Sequence, residues 1–315
     1  MTNIAIIGSG FIGRAWAIAH ARAGNEVHMW DQDPAAAEKG KAYIAALLPD
    51  LAASDLLNGN EPEDVLARIT PVATLEAAVD GVAHVQENTF EQIDVKREVF
   101  RKLDAVTPAD AVIASSTSAL LPSTFTEDLP GRARCIVAHP INPPYLIPAA
   151  EVVPAPWTSE ETVQRTAATL RAIGNAPIVM KREIGGFLMN RLQGALLEEA
   201  FRLVADGYAS VEDVDIGLRE GLALRWSFIG PFETIDLNAP GGIRDYIERY
   251  QGIYSGLGLN EKPRIDWAGP VMAEVEKARR DLVPAGDLQK RQEWRDRRLV
   301  ALLAHKRAAS REIGD

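Results

Sequence analysis

The chain has 315 residues, 47% of them hydrophobic, with a formal net charge of -10 at pH 7 and a pI near 5.2. This length allows one large or two ordinary domains with hydrophobic cores, and the acidic balance argues against a nucleic-acid partner, because phosphate binding requires a basic surface. No apolar run reaches the roughly 18 residues of a membrane span, and no basic leader precedes the first strand pattern, so we expect a cytoplasmic protein without a membrane partner.

The N-terminal half predicts alternating strands and helices. An apolar strand at residues 4–7 is followed by glycines, an Ala-rich helix and a second strand, EVHMW, that leads into Asp31. This order predicts an α/β fold with a doubly wound, mostly parallel Rossmann-type sheet that helices cover on both faces. The further predicted strands lie at residues 82–85, 111–115, 135–138, 150–153 and 177–180.

The pattern changes after the sequence KREIGG. Leucines at helical spacing predict a helix over residues 188–206, which Gly207 ends, and no later segment indicates a strand. We therefore predict a Rossmann-type domain over residues 1–183 and an all-helical domain over residues 184–315. The last segment, QKRQEWRDRRLVALLAHKR, predicts a basic amphipathic helix that is solvated or packs against a subunit.

Hydroxyl-bearing residues predict two helix starts. Thr158 with Glu161 forms the capping-box pattern for a helix that Gly174 ends, and Ser210 with Asp213 predicts a cap for a later helix.

The sequence IIGSGFIGRAW carries a dinucleotide-binding pattern. Its glycines, Gly8, Gly10 and Gly13, follow a predicted strand and open a predicted helix. The first glycine allows a tight turn, the second a close approach of the backbone to a pyrophosphate, and the third close packing of helix on strand. The free N–H groups of the helix N-terminus favour the bound anion. We assign the intervening Phe11 and Ile12 to the same site.

The residue after the second strand predicts the choice of cofactor. Asp31 is placed to accept hydrogen bonds from a ribose hydroxyl and to repel a 2′-phosphate, and its neighbours Gln32 and Asp33 supply no cation to offset that repulsion. We therefore predict NAD rather than NADP.

A histidine and a glutamate on consecutive strands form the candidate chemical site. His139 lies at the C-terminal end of a predicted strand, where ligands of open α/β sheets bind, and imidazole is suited to proton transfer. Glu151, twelve residues later, is placed to pair with the imidazole. The spacing alone leaves a structural histidine equally open. Cys135, the only cysteine, lies in an apolar run and is expected to be a buried hydrophobe.

Four segments resemble a known family. SSTSALLPS, HPINPPYLIPAAEVVP, GFLMNRLQGALLEEAFRLV and GPFETIDLN together are similar to the L-3-hydroxyacyl-CoA dehydrogenase superfamily, and more closely to its lambda-crystallin / L-gulonate 3-dehydrogenase branch. The resemblance implies that His139 is the general acid/base and Glu151 its partner. It implies that Ser118 and Asn190 contact the substrate hydroxyl or position the histidine.

The resemblance also implies further cofactor contacts. Ser116 stands where the acyl-CoA enzymes carry an asparagine near the nicotinamide, and Asn142 matches a neighbouring polar position. Glu91 and Lys96 match positions that contact the nicotinamide ribose. Without the resemblance, each of these four would be interpreted as a loop or helix-surface residue. The helical domain is expected to form a homodimer.

Two departures from the acyl-CoA pattern favour a small, free acid as the substrate. Residues 43–91, where acyl-CoA enzymes resemble one another in a lysine-bearing hairpin, contain only Arg68 as a Lys or Arg residue. Arg225 stands where the acyl-CoA enzymes have an apolar stretch. A guanidinium can hold a carboxylate in a bidentate pair. The alternative interpretation of Arg225 is a surface salt bridge. The branches that act on free hydroxy acids, including L-carnitine dehydrogenases, resemble the chain at this arginine.

The hypothesis is NAD-dependent oxidation of a small L-3-hydroxy carboxylic acid, L-gulonate or a short analogue, to the 3-keto acid. Oxidation of L-carnitine stays open because Trp226, Tyr145 and Phe228 are available for a trimethylammonium group. Oxidation of an L-3-hydroxyacyl-CoA is a further alternative. A crystallin-like structural protein or a dinucleotide-binding sensor represents a different class of function. No metal is predicted.

Overall fold

The structure is a computed structural model that describes residues 2–258 and 264–314. The chain divides into two compact units. The first comprises Met1–Met189 and Asp296–Asp315, and the second comprises Asn190–Arg295. Within the described residues, no helix combines the length and apolar character needed to cross a membrane.

Eight strands form one sheet in the first unit. They are β1 (Asn3–Ile7), β2 (Glu26–Trp30), β3 (Ile69–Pro71), β4 (His84–Glu87), β5 (Val112–Ser115), β6 (Cys135–Pro140), β7 (Ala149–Pro154) and β8 (Ala176–Val179). The strand order is β3-β2-β1-β4-β5-β6-β7-β8, and every neighbouring pair is parallel except β6 and β7. This doubly wound order confirms the predicted fold class.

Most strands of the first unit are followed by a helix, whereas β6 leads directly into β7. The helices are α1 (Phe11–Arg22), α2 (Pro34–Ala52), α3 (Pro62–Ala67), α4 (Leu75–Val79), α5 (Ile93–Val106), α6 (Ser123–Thr126) and α7 (Glu160–Ala172). Two buried clusters lie on the sheet. Ile4, Trp16 and Ile136 belong to one cluster, and Ile7, Phe100 and Val137 belong to the other, so alternate residues of a strand face opposite layers.

The second unit is helical throughout its described residues. Its elements are α8 (Met189–Ala205), which starts at the last residue of the first unit, then α9 (Val211–Ile216), α10 (Ala223–Trp226), α11 (Pro231–Leu237), α12 (Gly242–Ser255) and α13 (Val271–Leu282). A π-helical segment over Gly217–Leu222 joins α9 to α10. A small buried cluster of Val204, Val211 and Val271 connects three of these helices.

The last helix, α14 (Leu288–Ile313), is divided between the two units, because the second unit ends at Arg295 and the first resumes at Asp296. Its C-terminal part packs on the first unit, where Leu299, Val300 and Leu303 lie against the hydrophobic core and Arg307 donates to the carbonyl oxygen of Asp55. The predicted amphipathic helix therefore packs against its own chain.

Two predictions of local structure need correction. The capping oxygen of α7 is that of Ser159, which accepts from Thr162 N, whereas Thr158 Oγ1 donates to the carbonyl oxygen of Cys135 at 2.7 Å. The strand expected at residues 82–85 forms two residues later, as His84–Glu87. The predicted caps at Gly174, with φ +84°, and at Ser210 are confirmed.

Candidate active site

The glycine turn between β1 and α1 has the geometry that the sequence predicts. Gly8 has φ +89°, and a Cβ there would lie 2.9 Å from the carbonyl oxygen of Asn88. A Cβ at Gly13 would lie 1.9 Å from the carbonyl oxygen of Gly8, so only glycine permits this helix–strand contact. Gly10 precedes Phe11 at the start of α1, and no side chain caps the free N–H groups there. They remain available for a pyrophosphate.

A cavity of about 930 Å³ opens beside this turn at the carboxyl ends of β1, β2 and β4. Gly8, Gly10 and Asp31 line it, together with apolar side chains of α4 and α5 that include Leu75 and Val99. This combination of an apolar wall, a glycine turn and an acid fits the adenosine half of NAD. Phe11 is 49% exposed at the helix start, and Ile12 is partly buried against the core.

Asp31 is already oriented by the glycine turn. One of its carboxylate oxygens accepts from the backbone N–H of Ser9 at 2.7 Å and from the Ser9 hydroxyl at 2.8 Å. The other oxygen accepts an exposed bond from the N–H of Asp33 at 3.2 Å. The carboxylate therefore stays half-exposed at the cavity, where a ribose diol would donate to it.

Replacing Asp31 tests cofactor choice. We expect Asp31→Ala to weaken NADH binding by about 10- to 100-fold, the value of a hydrogen bond to a charged group, and to weaken NADPH binding much less. Fluorescence titration with both reduced cofactors measures this. Glu38→Ala, which removes an exposed acid of α2, is the matched control. An unchanged preference for NADH in the Asp31 variant would contradict the assignment.

His139 and Glu151 lie directly opposite each other on the antiparallel strands β6 and β7. His139 Nδ1 lies 2.7 Å from Glu151 Oε2, and both side chains are buried. Because a carboxylate can only accept, Nδ1 carries the proton, so in the neutral imidazole Nε2 keeps a lone pair. That tautomer is the one that a general base requires.

The other oxygen of Glu151 is held by the turn before α8. Glu151 Oε1 accepts from the N–H of Leu188 at 2.7 Å and from that of Met189 at 2.9 Å. Burial would raise the pKa of Glu151, but the hydrogen bonds from His139, Met189 and Leu188 outweigh it and lower the pKa from 4.5. The carboxylate is therefore ionised at neutral pH and able to stabilise an imidazolium.

Phe187 shapes this turn and was not identified from the sequence. Its φ of +45° is in the left-handed region, rare for an aromatic residue, and its fully buried ring lies 5.7 Å from the ring of His139. The sequence did contain an indication of this turn, namely the glycine pair directly before Phe187. Strained backbone conformations concentrate at functional sites, and here the turn directs two N–H groups at Glu151.

The loop after β5, which carries Ser118, surrounds one carboxylate oxygen of Glu91. Glu91 Oε1 accepts from Thr117 Oγ1 at 2.5 Å and from the N–H groups of Ser118 and Ala119 at 2.9 and 3.0 Å. Burial raises the pKa of Glu91, but these bonds and the charge of Lys96 lower it overall. Glu91 thus organises the loop that carries the exposed Ser118.

Lys96, in the helix that follows Glu91, is buried. Its Nζ donates to Glu87 Oε1 at 2.8 Å, to Glu87 Oε2 at 2.9 Å and to the carbonyl oxygen of Thr89 at 3.1 Å. Glu87 also accepts from Ser115 Oγ at 2.6 Å and from the N–H and hydroxyl of Thr89. The three protons of the ammonium are therefore used by protein atoms, and Glu87 is a partner that sequence reasoning missed. A ribose contact of Lys96 remains a prediction.

Two further predicted cofactor residues lie in the first unit. Asn142 precedes Pro143 in a cis peptide bond, and its Oδ1 is buried without a hydrogen-bond partner among the residues that the structure describes. Ser116 directly follows β5, and its hydroxyl bonds to Trp16, Gln86 and Asn88.

The remaining predicted residues lie in the second unit. Asn190 is in the first turn of α8, and Arg225 is in α10. Arg225 is half-buried, its Nε is buried without a hydrogen-bond partner, and no acid within the described ranges forms an ion pair with it. The role of Arg225 as a carboxylate anchor remains a prediction.

Comparisons with known proteins agree over nearly the whole chain. Residues 3–184 match the family model "3-hydroxyacyl-CoA dehydrogenase, NAD binding domain", and residues 186–262 match "3-hydroxyacyl-CoA dehydrogenase, C-terminal domain". Lambda-crystallin of Oryctolagus cuniculus is 40% identical, with 97% of this chain and 96% of the relative aligned. An L-carnitine dehydrogenase of Streptomyces griseus is 37% identical over 90% of this chain and 81% of the relative.

Two solved structures of dehydrogenases are similar to this chain. The NAD⁺-dependent 5-formyl-3-hydroxy-2-methylpyridine 4-carboxylic acid 5-dehydrogenase superposes with a TM-score of 0.81 and 28% identity, over 96% of this chain and 97% of the other. The 3-hydroxyacyl-CoA dehydrogenase of Archaeoglobus fulgidus superposes with a TM-score of 0.69 and 27% identity, over 88% of each chain.

Proposed function

The chain belongs to the 3-hydroxyacyl-CoA dehydrogenase family, and we propose that it oxidises a small L-3-hydroxy carboxylic acid, L-gulonate or a short analogue, to the 3-keto acid. The family match confirms the predicted NAD-dependent dehydrogenase and its NAD cofactor. The observation that carries the proposal is the buried His139–Glu151 pair with its 2.7 Å hydrogen bond.

In the proposed mechanism, His139 accepts the proton of the substrate hydroxyl at Nε2 as the C3–H bond breaks. NAD, when bound, supplies the acceptor for the hydride. Glu151 stabilises the imidazolium that forms and keeps the ring in one tautomer. The hydroxyl thereby becomes a carbonyl, and the proton leaves later from the imidazolium to water. Ser118 and Asn190 are proposed to orient the hydroxyl.

Arg225 supports a free carboxylate rather than a thioester. A partly buried guanidinium Nε with no partner among the described residues is suited to a bidentate carboxylate. The single Lys or Arg residue of the segment from residue 43 to residue 91 is already partly engaged by the protein, because Arg68 Nη1 donates to the carbonyl oxygen of Ala21 at 3.1 Å and to Asn60 Oδ1 at 3.0 Å. Both observations disfavour a coenzyme A thioester as the substrate.

Replacing Arg225 tests the carboxylate anchor. We expect Arg225→Met to raise the KM for the acid about 10- to 100-fold, because a charge-assisted pair is lost, and to leave NADH affinity unchanged. Arg219→Met is the control, since Arg219 is exposed and pairs with Glu220 at 2.6 Å. An equal KM effect in both variants would contradict a specific anchor.

A substrate panel separates the alternatives. Initial rates of NADH formation with L-gulonate, L-3-hydroxybutyrate, L-carnitine and L-3-hydroxybutyryl-CoA rank the candidates, and a clear preference for the thioester would overturn the free-acid proposal. L-carnitine has specific support because relatives 35 to 37% identical carry that activity in their names. No turnover with any acid would favour the crystallin-like structural protein or the dinucleotide-binding sensor.

The assembly remains a proposal. We propose that residues 184–315 bind substrate and mediate a homodimer, because the second unit exposes large apolar side chains such as Leu224, Phe232 and Ile253. Light scattering on purified protein measures the mass. Cytoplasmic location also remains a prediction.

A further inference from the structure

A buried polar network lies beside the dyad, and the mechanism above does not use it. Gln86 lies on β4 with none of its surface exposed. Strands buried on both faces are ordinarily apolar, and burying an amide costs free energy unless its polar atoms find partners. The partners of Gln86 therefore indicate what the residue does.

The amide of Gln86 is hydrogen-bonded at both ends. Its Nε2 donates to Ser116 Oγ at 2.7 Å and to the carbonyl oxygen of Ala138 at 3.2 Å. Because a carbonyl can only accept, the amide nitrogen must face Ala138, and Oε1 must face His84 Nε2 at 3.1 Å. His84 Nε2 therefore carries a proton and fixes the orientation of the amide.

Ala138 is the residue directly before His139. The pairing of β5 with β6 ends at Ser115 and Val137, so Ala138 lies one residue beyond the last strand pair on that side. Gln86 extends from β4 past the end of β5 to reach it. The amide thus ties the backbone that carries the imidazole to the central strands of the sheet.

Ser116 is the second residue that Gln86 holds. Its hydroxyl accepts from Gln86 and from Trp16 Nε1 at 3.0 Å, and it donates to Asn88 Oδ1 at 2.7 Å. A hydroxyl has one proton and two lone pairs, so these bonds use its full capacity. The hydroxyl of Ser116 is therefore held in place by this network.

We propose that Gln86 is a positioning residue for hydride transfer, which fixes the backbone before His139 while His84 fixes its amide. The inference rests on the proposed role of His139 as general base. A base must stay within hydrogen-bond reach of the hydroxyl proton, and displacements of about 1 Å at such a site lower rates by about 10²-fold.

The histidines near Gln86 do not titrate at neutral pH. Burial lowers the pKa of His84 to about 4, and burial together with the charge of His84 lowers that of His20 to about 3. The rings of these two histidines lie 6.2 Å apart. Neither histidine therefore adds a pH dependence of its own to the kinetics of a Gln86 variant between pH 6 and 9.

The first test replaces the amide with an apolar group of similar size. We expect Gln86→Leu to lower kcat about 10- to 100-fold for the best acid of the panel, with the NADH dissociation constant and KM unchanged. Thr166→Val is the control, because Thr166 is equally buried but bonds only within its own helix. A wild-type kcat in Gln86→Leu, or a loss confined to melting temperature, would overturn the proposal.

The second test uses a readout that a purely structural role would not change. In Gln86→Glu the protonated carboxyl donates one hydrogen bond, whereas the carboxylate donates none and repels the carbonyl oxygen of Ala138. We expect the ratio of variant to wild-type kcat to fall as pH rises between about 6 and 9, because burial raises the pKa of a carboxyl. A flat ratio would overturn the proposal, and this variant decides the question if Gln86→Leu does not fold.

Failure of this inference is distinguishable from failure of the proposed function. If His139→Gln abolishes turnover while both Gln86 variants behave as wild type, only the positioning role is lost. If His139→Gln keeps wild-type turnover, the general-base proposal itself is wrong, and the positioning proposal is overturned with it.

Discussion

Replacing His139 with glutamine is expected to lower kcat for hydroxy-acid oxidation by about 10²- to 10⁴-fold, the contribution of a general base. The amide keeps polar atoms in the pocket but cannot accept the hydroxyl proton at neutral pH. Steady-state kinetics on the best acid of the panel measures the loss.

NADH affinity should not change in this variant, because His139 lies on β6, whereas the glycine turn and Asp31 lie at β1 and β2. His28→Gln is the control, since His28 lies on β2 with only a backbone partner, the carbonyl oxygen of Ala78 at 3.2 Å. Comparable rates for the His139 variant and the wild type would exclude His139 as the base.

Replacing Glu151 with glutamine is expected to lower kcat by about 10³-fold or more, although the side chain keeps its size. The oxygen of the new amide would accept from the N–H groups of Leu188 and Met189, so its NH₂ would face His139 Nδ1. Nδ1 would then have to accept, and the proton would move to Nε2, where it blocks the reaction. Steady-state turnover measured beside NADH titration separates this loss from misfolding.

Asp104→Asn is the matched control for the Glu151 variant. Asp104 is a nearly buried carboxylate of α5 that pairs with Arg134 at 2.8 Å, outside the dyad. Its replacement should lower stability without lowering kcat. Equal losses of kcat in the two variants would contradict the tautomer argument.

The sequence predicted the Rossmann-type half well because its signals are local. Strand periodicity and glycine positions identified seven of the eight strands and the glycine turn between β1 and α1. The missed strand, Ile69–Pro71, has three residues, which is too short to show a period. The displaced strand β4 ends in Gln86 and Glu87, and these buried polar residues do not resemble a strand interior until their partners are known.

The dyad was predictable because two adjacent strands carry it. His139 and Glu151 face each other through the antiparallel register, which a short, proline-rich connection between two strands allows. The contacts of Glu151 with Leu188 and Met189 were not predictable, because they depend on a left-handed backbone at Phe187 and join residues 37 and 38 positions apart. The role of Glu87 was not predictable from the sequence either. The cap at Ser159 was not predictable because Thr158 and Ser159 both carry hydroxyls.

The double variant of His139 and Glu151 tests the central claim most directly, because residues that act as one unit lose activity non-additively. The measurement is kcat for the best acid of the panel in His139→Gln, Glu151→Gln and the combined variant, each with NADH binding verified. We predict that the combined variant is no slower than the slower single variant. A combined loss equal to the product of the two single losses would contradict the account.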